Sequence, residues 1–167
     1  STFHNKFDNY IFEKKIQKYI IMIKRNHEFD NLSNFKTLNN FDYYCEVNSI
    51  EKLKAYLIEI KNQSKNYVIL GNGSNIFFCR KNIKTVVIKN KIPSNIIDLG
   101  NNFYEVSSST KTFQFLKYCL MRKLNSFYFL SSVPSTIGGN ITMNAGGGIS
   151  SGDFISNYLI SVKVLIN

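Results

Sequence analysis

Leu70-Gly71-Asn72-Gly73-Ser74-Asn75-Ile76 is the first of two stretches on which the fold turns. The second is Pro134-Ser135-Thr136-Ile137-Gly138-Gly139-Asn140, continued by Met143-Asn144-Ala145-Gly146-Gly147-Gly148. Seven of the chain's nine glycines lie in them. Glycine loses more conformational freedom on folding than any other residue, so this concentration asks for a reason. The first stretch leaves an apolar strand, Tyr67-Val68-Ile69-Leu70, directly. It is not a dinucleotide fingerprint, because Ile76 holds the third glycine position of G-x-G-x-x-G and Ile76-Phe77-Phe78 reads as more strand. It is not a Walker loop either, since no Gly-Lys-Ser/Thr occurs. Gly71 and Gly73 let main-chain N–H groups approach a ligand, and Ser74 and Asn75 add donors, which suits an anion nest for a pyrophosphate. A hairpin turn with Asn-Gly chemistry is the equally open alternative. The second stretch is either packed on a ligand or a floppy surface loop, and the interleaved Ile137, Ile141 and Met143 favour partial burial.

Outward from these stretches, helix and strand signals mix without a regular βαβ repeat, which points to an α+β fold. Phe12, Ile16, Tyr19, Ile20 and Ile23 predict a helix over 10–25, followed by a polar loop over 26–40. Phe41 to Val47 reads as a strand. Ser49 reads as the N-cap of a helix carrying Ile50, Leu53, Leu57 and Ile60 and ending near Asn62. Thr85 to Ile88 and Phe103 to Ser107 read as strands, residues 90–102 as a loop, and Thr112 to Lys123 as a helix. Pro134 to Gly152 reads as glycine-rich loop and Leu159 to Ile166 as strand.

The pair Leu-Gly-Asn-Gly-Ser-Asn-Ile and Pro-Ser-Thr-Ile-Gly-Gly-Asn-x-x-Met-Asn-Ala-Gly, about 60 residues apart, resembles the UDP-N-acetylenolpyruvoylglucosamine reductase (UDP-N-acetylmuramate dehydrogenase, MurB) family. The similarity runs from about Leu32 to Asn167. It implies an FAD-binding domain of the vanillyl-alcohol oxidase (PCMH) type with two subdomains, here 32–90 and 91–167, after an N-terminal extension over 1–31. The family's C-terminal substrate domain would be missing. The resemblance places Gly71, Asn72, Gly73, Ser74 and Asn75 around the FAD pyrophosphate. Pro134, Ser135, Thr136, Ile137, Gly138 and Gly139 would form a second phosphate- and ribityl-facing loop, with Asn144, Ala145 and Gly146 close to the flavin. In that family NADPH reduces FAD, and the flavin passes hydride to the enolpyruvyl double bond of a UDP-sugar in peptidoglycan synthesis. Its catalytic Arg, Ser and Glu would lie beyond Asn167, so no catalytic residue is expected in this chain, which alone would be inactive. Several positions depart from the family pattern. Ser135 stands for Gly and Asn140 for Ala, Asn39-Asn40 stands near a usual Gly pair, and Ser107 to Ser109 replace a Gly-Ala-Gly-like run. Another flavin oxidoreductase of the same fold, or a degenerate non-catalytic homologue, is the alternative.

Composition fits this picture. The chain has 167 residues, 44% of them hydrophobic, with a net charge of +10. The charge comes mainly from 18 dispersed lysines, with only three arginines, Arg25, Arg80 and Arg122. Base readout favours arginine, so no specific nucleic-acid partner is expected. Asn, Lys, Ile, Phe and Tyr, all with A/T-rich codons, make up 85 residues, so nucleotide bias alone could raise the lysine content. No run approaches the ~20 apolar residues of a membrane span, and no secretory cleavage site follows the early apolar residues. Cys45, Cys79 and Cys119 are odd in number and lack a C-x-x-C pair, which predicts reduced thiols, a cytoplasmic location and no metal site. A monomer is expected. Ser1 and an end inside an apolar run suggest a fragment.

Overall fold

The structure, a computed structural model, describes residues 24–29, 31–147 and 152–166. By contacts the chain divides into two units. The first holds Thr37–Ile69 and Phe78–Lys91 together with residues 24–29, and the second holds Asn31–Lys36, Leu70–Phe77 and the chain from Ile92 onward. The division differs from a single boundary near residue 90, because residues 31–36 and 70–77 join the C-terminal part.

In the first unit, β2 (Asn39–Val47) is the hub. It pairs antiparallel with β1 (Lys24–Phe29), with His27 opposite Phe41, and parallel with β5 (Val86–Asn90), with Cys45 opposite Ile88. A short β4 (Asn82–Ile83) also pairs with β2, and β3 (Tyr67–Leu70) lies beyond β5, giving the order β1-β2-β5-β3. Val86, Val87 and Ile88 are fully buried, which explains why the interior strand β5 starts with an unbroken apolar run. The helix α1 (Ile50–Asn62) packs on β2 through a face that buries Ala55, Tyr56, Leu57 and Ile60. Ser49 caps it, its Oγ accepting from Lys52 N at 3.2 Å. Asn39 is buried, and its amide donates to the carbonyls of Phe78 (3.2 Å) and Arg80 (2.7 Å), so this asparagine ties the 78–80 segment to β2.

The second unit contains the hairpin β6 (Ile96–Gly100) and β7 (Phe103–Val106). Asn101 and Asn102, at φ 50° and 63°, make its two-residue turn, the left-handed pair that a type I′ hairpin needs. The helix α2 (Thr112–Met121) and the short α3 (Ile137–Thr142) meet in a core of Phe115, Cys119 and Ile137, bordered by Ile96, Val106, Leu124, Phe127 and Ile141.

Four expectations are corrected. Residues 24–29 are strand rather than the end of a helix and the start of a loop, because β2 offers them a ladder and Phe29 packs on Tyr44 with ring centroids 4.5 Å apart. The rest of the helix expected over 10–25 lies outside the described residues. The loop expected over 90–102 contains β6, whose pairing with β7 overrides a weak local pattern. The glycine-rich loop contains α3, nucleated by Thr136 as N-cap. Leu159 to Ile166 forms no strand: among the described residues its one side-chain tie is an ion pair from Lys163 Nζ to Glu105 Oε2 at 2.7 Å.

Candidate cofactor site

All the candidate residues lie in the second unit. β3 delivers the chain into Gly71–Asn75, and the hairpin alternative fails, since β3 pairs with β5 and residues 76–78 are not strand. The loop is held instead by a segment that motif reading passes over, Leu32–Lys36. Asn34 N donates to Gly73 O at 3.0 Å, and Ser33 Oγ donates to Ile76 O. Gly73 is buried at φ +76°, and a Cβ there would collide with the carbonyl oxygen of Leu32. The glycine is therefore required by the chain's own packing as well as by its backbone conformation. The main-chain N–H groups of Asn72, Gly73, Ser74 and Asn75 donate to no acceptor among the described residues.

As far as Gly147, the second stretch is not a floppy loop. Ser135, Thr136, Ile137 and Asn140 are buried. Lys111 and Thr136 form an antiparallel bridge. Around it, Ile137 N donates to Thr110 O and Gly138 N to Ser108 O, both at 2.8 Å, and Gly139 N donates to Thr136 Oγ1 at 3.3 Å. These amides are thus engaged inside the protein. Ser135 O accepts from both Thr112 N (2.9 Å) and Thr112 Oγ1 (3.0 Å), and Asn140 Nδ2 donates to Thr112 Oγ1 at 3.0 Å. The residues that depart from the family pattern are thereby built in: Asn140 anchors α3 to the start of α2. A Cβ at Gly138 would meet Ser108 Cβ at 2.9 Å, and one at Gly139 would meet Ser135 Oγ at 2.6 Å, so the serines crowd the glycines that remain. Ser109 Oγ, Thr110 Oγ1 and Asn140 Oδ1 are buried without a hydrogen-bond partner among the described residues. Asn144, at φ +45°, and its neighbours turn to another segment. Ala145 O accepts from Ile155 N (2.9 Å), Asn144 Oδ1 accepts from Ser156 N (3.3 Å), and Gly146 bridges Phe154.

The structure brings the first stretch and the start of the second together. A Cβ at Gly71 would lie 2.6 Å from Thr136 Oγ1, and Asn72 Nδ2 donates to Pro134 O, 62 residues away. Asn144 to Gly146 follow α3 directly, but their hydrogen bonds run to α3 and to 153–156, not to the first stretch. The fit to a diphosphate can be judged from the chain itself. Four consecutive amides, Ser74 and Asn75 offer donors, and no Asp or Glu occurs in 31–36, 70–80, 107–112 or 131–147 to repel an anion. Leu32 to Asn34, Thr110 and Thr112 carry no motif of their own; only the fold reveals their part in holding the loops.

Of the three thiols, Cys119 packs with Ile137 of the second stretch. Burial pushes the pKa of Cys45 up to about 12 and that of Cys119 up to about 11, while Cys79 is exposed. Among the described residues no cluster of three or more His, Cys, Asp or Glu could hold a metal ion, and no helix is long and apolar enough to cross a membrane.

Residues 41–167 match a family described as FAD binding domain. The chain is 31% identical over 146 residues to UDP-N-acetylenolpyruvoylglucosamine reductase of Rickettsia typhi, covering 81% of this chain and 49% of that protein. It is 32% identical over 124 residues to the reductase of the same name from Clostridium novyi, covering 74% and 40%. Among solved structures it is similar to UDP-N-acetylenolpyruvylglucosamine reductase (MurB) from Thermus caldophilus. The TM-score is 0.55 at 20% identity, over 75% of this chain and 44% of that one, a likeness of fold. The chain spans about half the length of the curated relatives it matches.

Proposed function

The chain belongs to the FAD binding domain family, and on that premise we propose that it is the FAD-binding part of an NADPH-dependent UDP-N-acetylenolpyruvoylglucosamine reductase. The product of such an enzyme, UDP-N-acetylmuramate, would serve peptidoglycan synthesis in the cytoplasm. The observation that carries the proposal is the meeting of the two glycine-rich stretches, Gly71 against Thr136 and Asn72 on Pro134, beside four amides that donate to no acceptor among the described residues. The similarity to reductases of that name supports the choice of reaction.

In this proposal Gly71 to Asn75 hold the pyrophosphate through the amides of 72–75, with Ser74 and Asn75 as further donors. Pro134 to Gly139 act as a wall, since the amides of 137–139 are already engaged. That wall is kept in place by Thr112 and Asn140, which fix the Ser135 carbonyl. Asn144, Ala145 and Gly146 stand on the flavin side. Bound FAD would supply the hydride chemistry, and the protein would supply orientation and charge complementarity. In this reading the chain carries two FAD-binding subdomains, 32–90 and 91–167, and the protein works as a monomer with NADPH and a UDP-sugar as its small-molecule partners.

The test is a comparison of ligands. Affinity should fall steeply from FAD to riboflavin, which lacks the phosphates; equal affinity would remove the pyrophosphate role. Turnover of UDP-N-acetylglucosamine enolpyruvate with NADPH by the full-length protein tests the reaction. A protein that binds FAD but is not reduced by NADPH would be the degenerate homologue suggested by Ser135 and Asn140.

A further inference from the structure

Phe35 and Phe77 are 60% and 59% exposed, yet their rings are in edge-to-face contact, with centroids 5.5 Å apart and planes at 84°. A single exposed phenylalanine needs no explanation, but a fixed, open aromatic pair does. Both rings are tied to the Gly71–Asn75 loop. Phe77 follows Asn75 by two residues, at most about 7 Å of chain. Phe35 sits in the turn whose Asn34 N donates to Gly73 O at 3.0 Å. Its own N–H donates to Ser33 Oγ at 3.2 Å, the same hydroxyl that donates to Ile76 O. The next residue, Phe78, is buried with its ring 5.0 Å from that of Phe41, while Phe77 itself stays exposed.

We propose that Phe35 and Phe77 form a stacking platform for a planar heteroaromatic ring carried by the same nucleotide whose phosphates meet the amides of 72–75. This rests on the FAD-binding proposal above and extends it to a ring subsite. An aromatic face held in position before binding loses little freedom when a base stacks on it, and every base offers a π-face. The edge-to-face arrangement leaves a ring face open to such a ligand. The absence of acidic residues from 31–36 and 70–77 lets a phosphate approach the adjacent loop unopposed.

The experiment measures binding of ADP, FMN and inorganic pyrophosphate to the full-length protein and to its Phe35→Ala, Phe77→Ala and Phe77→Trp variants. Circular dichroism confirms the fold of each. Loss of a stacking partner should weaken binding of the ring-bearing ligand by about 5- to 150-fold. Pyrophosphate affinity should stay unchanged, and Phe77→Trp should restore the ring contribution. Weakening of ADP alone identifies adenine as the stacked ring, and weakening of FMN alone identifies the flavin. If both alanine variants bind ADP and FMN as tightly as the parent, the platform is refuted while the pyrophosphate loop stands. If the parent protein binds neither ADP nor pyrophosphate, the FAD-binding proposal and the platform fall together.

Discussion

Replacing Gly71 by Ala, alone and together with Thr136→Ala, tests whether the two glycine-rich stretches meet. The added Cβ would stand 2.6 Å from Thr136 Oγ1, inside ordinary van der Waals contact. Gly71 is not in the left-handed region, so backbone strain does not enter, and the substitution gains about 0.4–1 kcal/mol by restricting the unfolded chain. Overpacking costs about 1–3 kcal/mol. Turning the Thr136 hydroxyl away relieves the clash only by giving up its bond from Gly139 N, an N-cap worth about 1 kcal/mol. Gly71→Ala alone should therefore destabilise by about 0.5–2 kcal/mol, the overpacking cost less the entropy gain. Thr136→Ala should cost about 0.5–2 kcal/mol through the lost cap. In the double variant the clash disappears, and its stability should match or exceed that of Thr136→Ala. The coupling should be about 1–3 kcal/mol in favour of the pair, the size of the overpacking that is relieved. The chain has no Trp but ten Tyr, so urea unfolding is best followed by tyrosine fluorescence and far-UV circular dichroism. Additivity within about 0.5 kcal/mol would show that the stretches do not touch and would remove the structural basis of the site.

Gly73→Val should be more severe than Gly71→Ala, because the added Cβ meets backbone at Leu32 and cannot be relieved by a side-chain rotation; a loss of about 2–4 kcal/mol in unfolding, together with loss of FAD affinity, is expected. Asn140→Ala should cost about 1 kcal/mol, since the lost bond to Thr112 Oγ1 is partly offset by removing an unpaired buried oxygen, and urea unfolding measures it. Ellman's reagent should titrate only Cys79 in the native protein and all three thiols in denaturant. Cys45 and Cys119 are held neutral by burial, with folded pKa values raised above the ordinary value near 9. Their contribution to stability is complete below that value and should drain away as the pH rises from about 9 toward 11 and 12, which unfolding at stepped pH would reveal.

What the sequence makes legible is local. The Ser49 cap and the spacing of Leu57 and Ile60 mark α1, and the run Val86-Val87-Ile88 marks β5, because each signal is complete within a few residues. β1 and β6 are hidden because a partner strand makes them: nothing within Ile96-Ile97-Asp98-Leu99-Gly100 outweighs its loop-like surroundings until Phe103–Val106 pairs with it. The Asn101-Asn102 turn and the strand pattern from Phe103 are the local signals of that hairpin. At the site, the glycines announce themselves, but the reason for Gly73 does not. Its neighbour Leu32 lies far away in sequence, and a close approach of backbone to backbone leaves no mark on composition. The replacements Ser135 and Asn140 look like erosion of a motif. Folded, Asn140 and Thr112 form a buried hydrogen-bonded chain to the Ser135 carbonyl.

The most direct measurement is equilibrium titration of the purified, folded protein with FAD, followed by quenching of flavin fluorescence. Saturable binding to a single site, weakened strongly by Gly73→Val and competed by pyrophosphate-bearing nucleotides, is the expected result. A well-folded protein that leaves flavin fluorescence unchanged at every concentration would contradict the account.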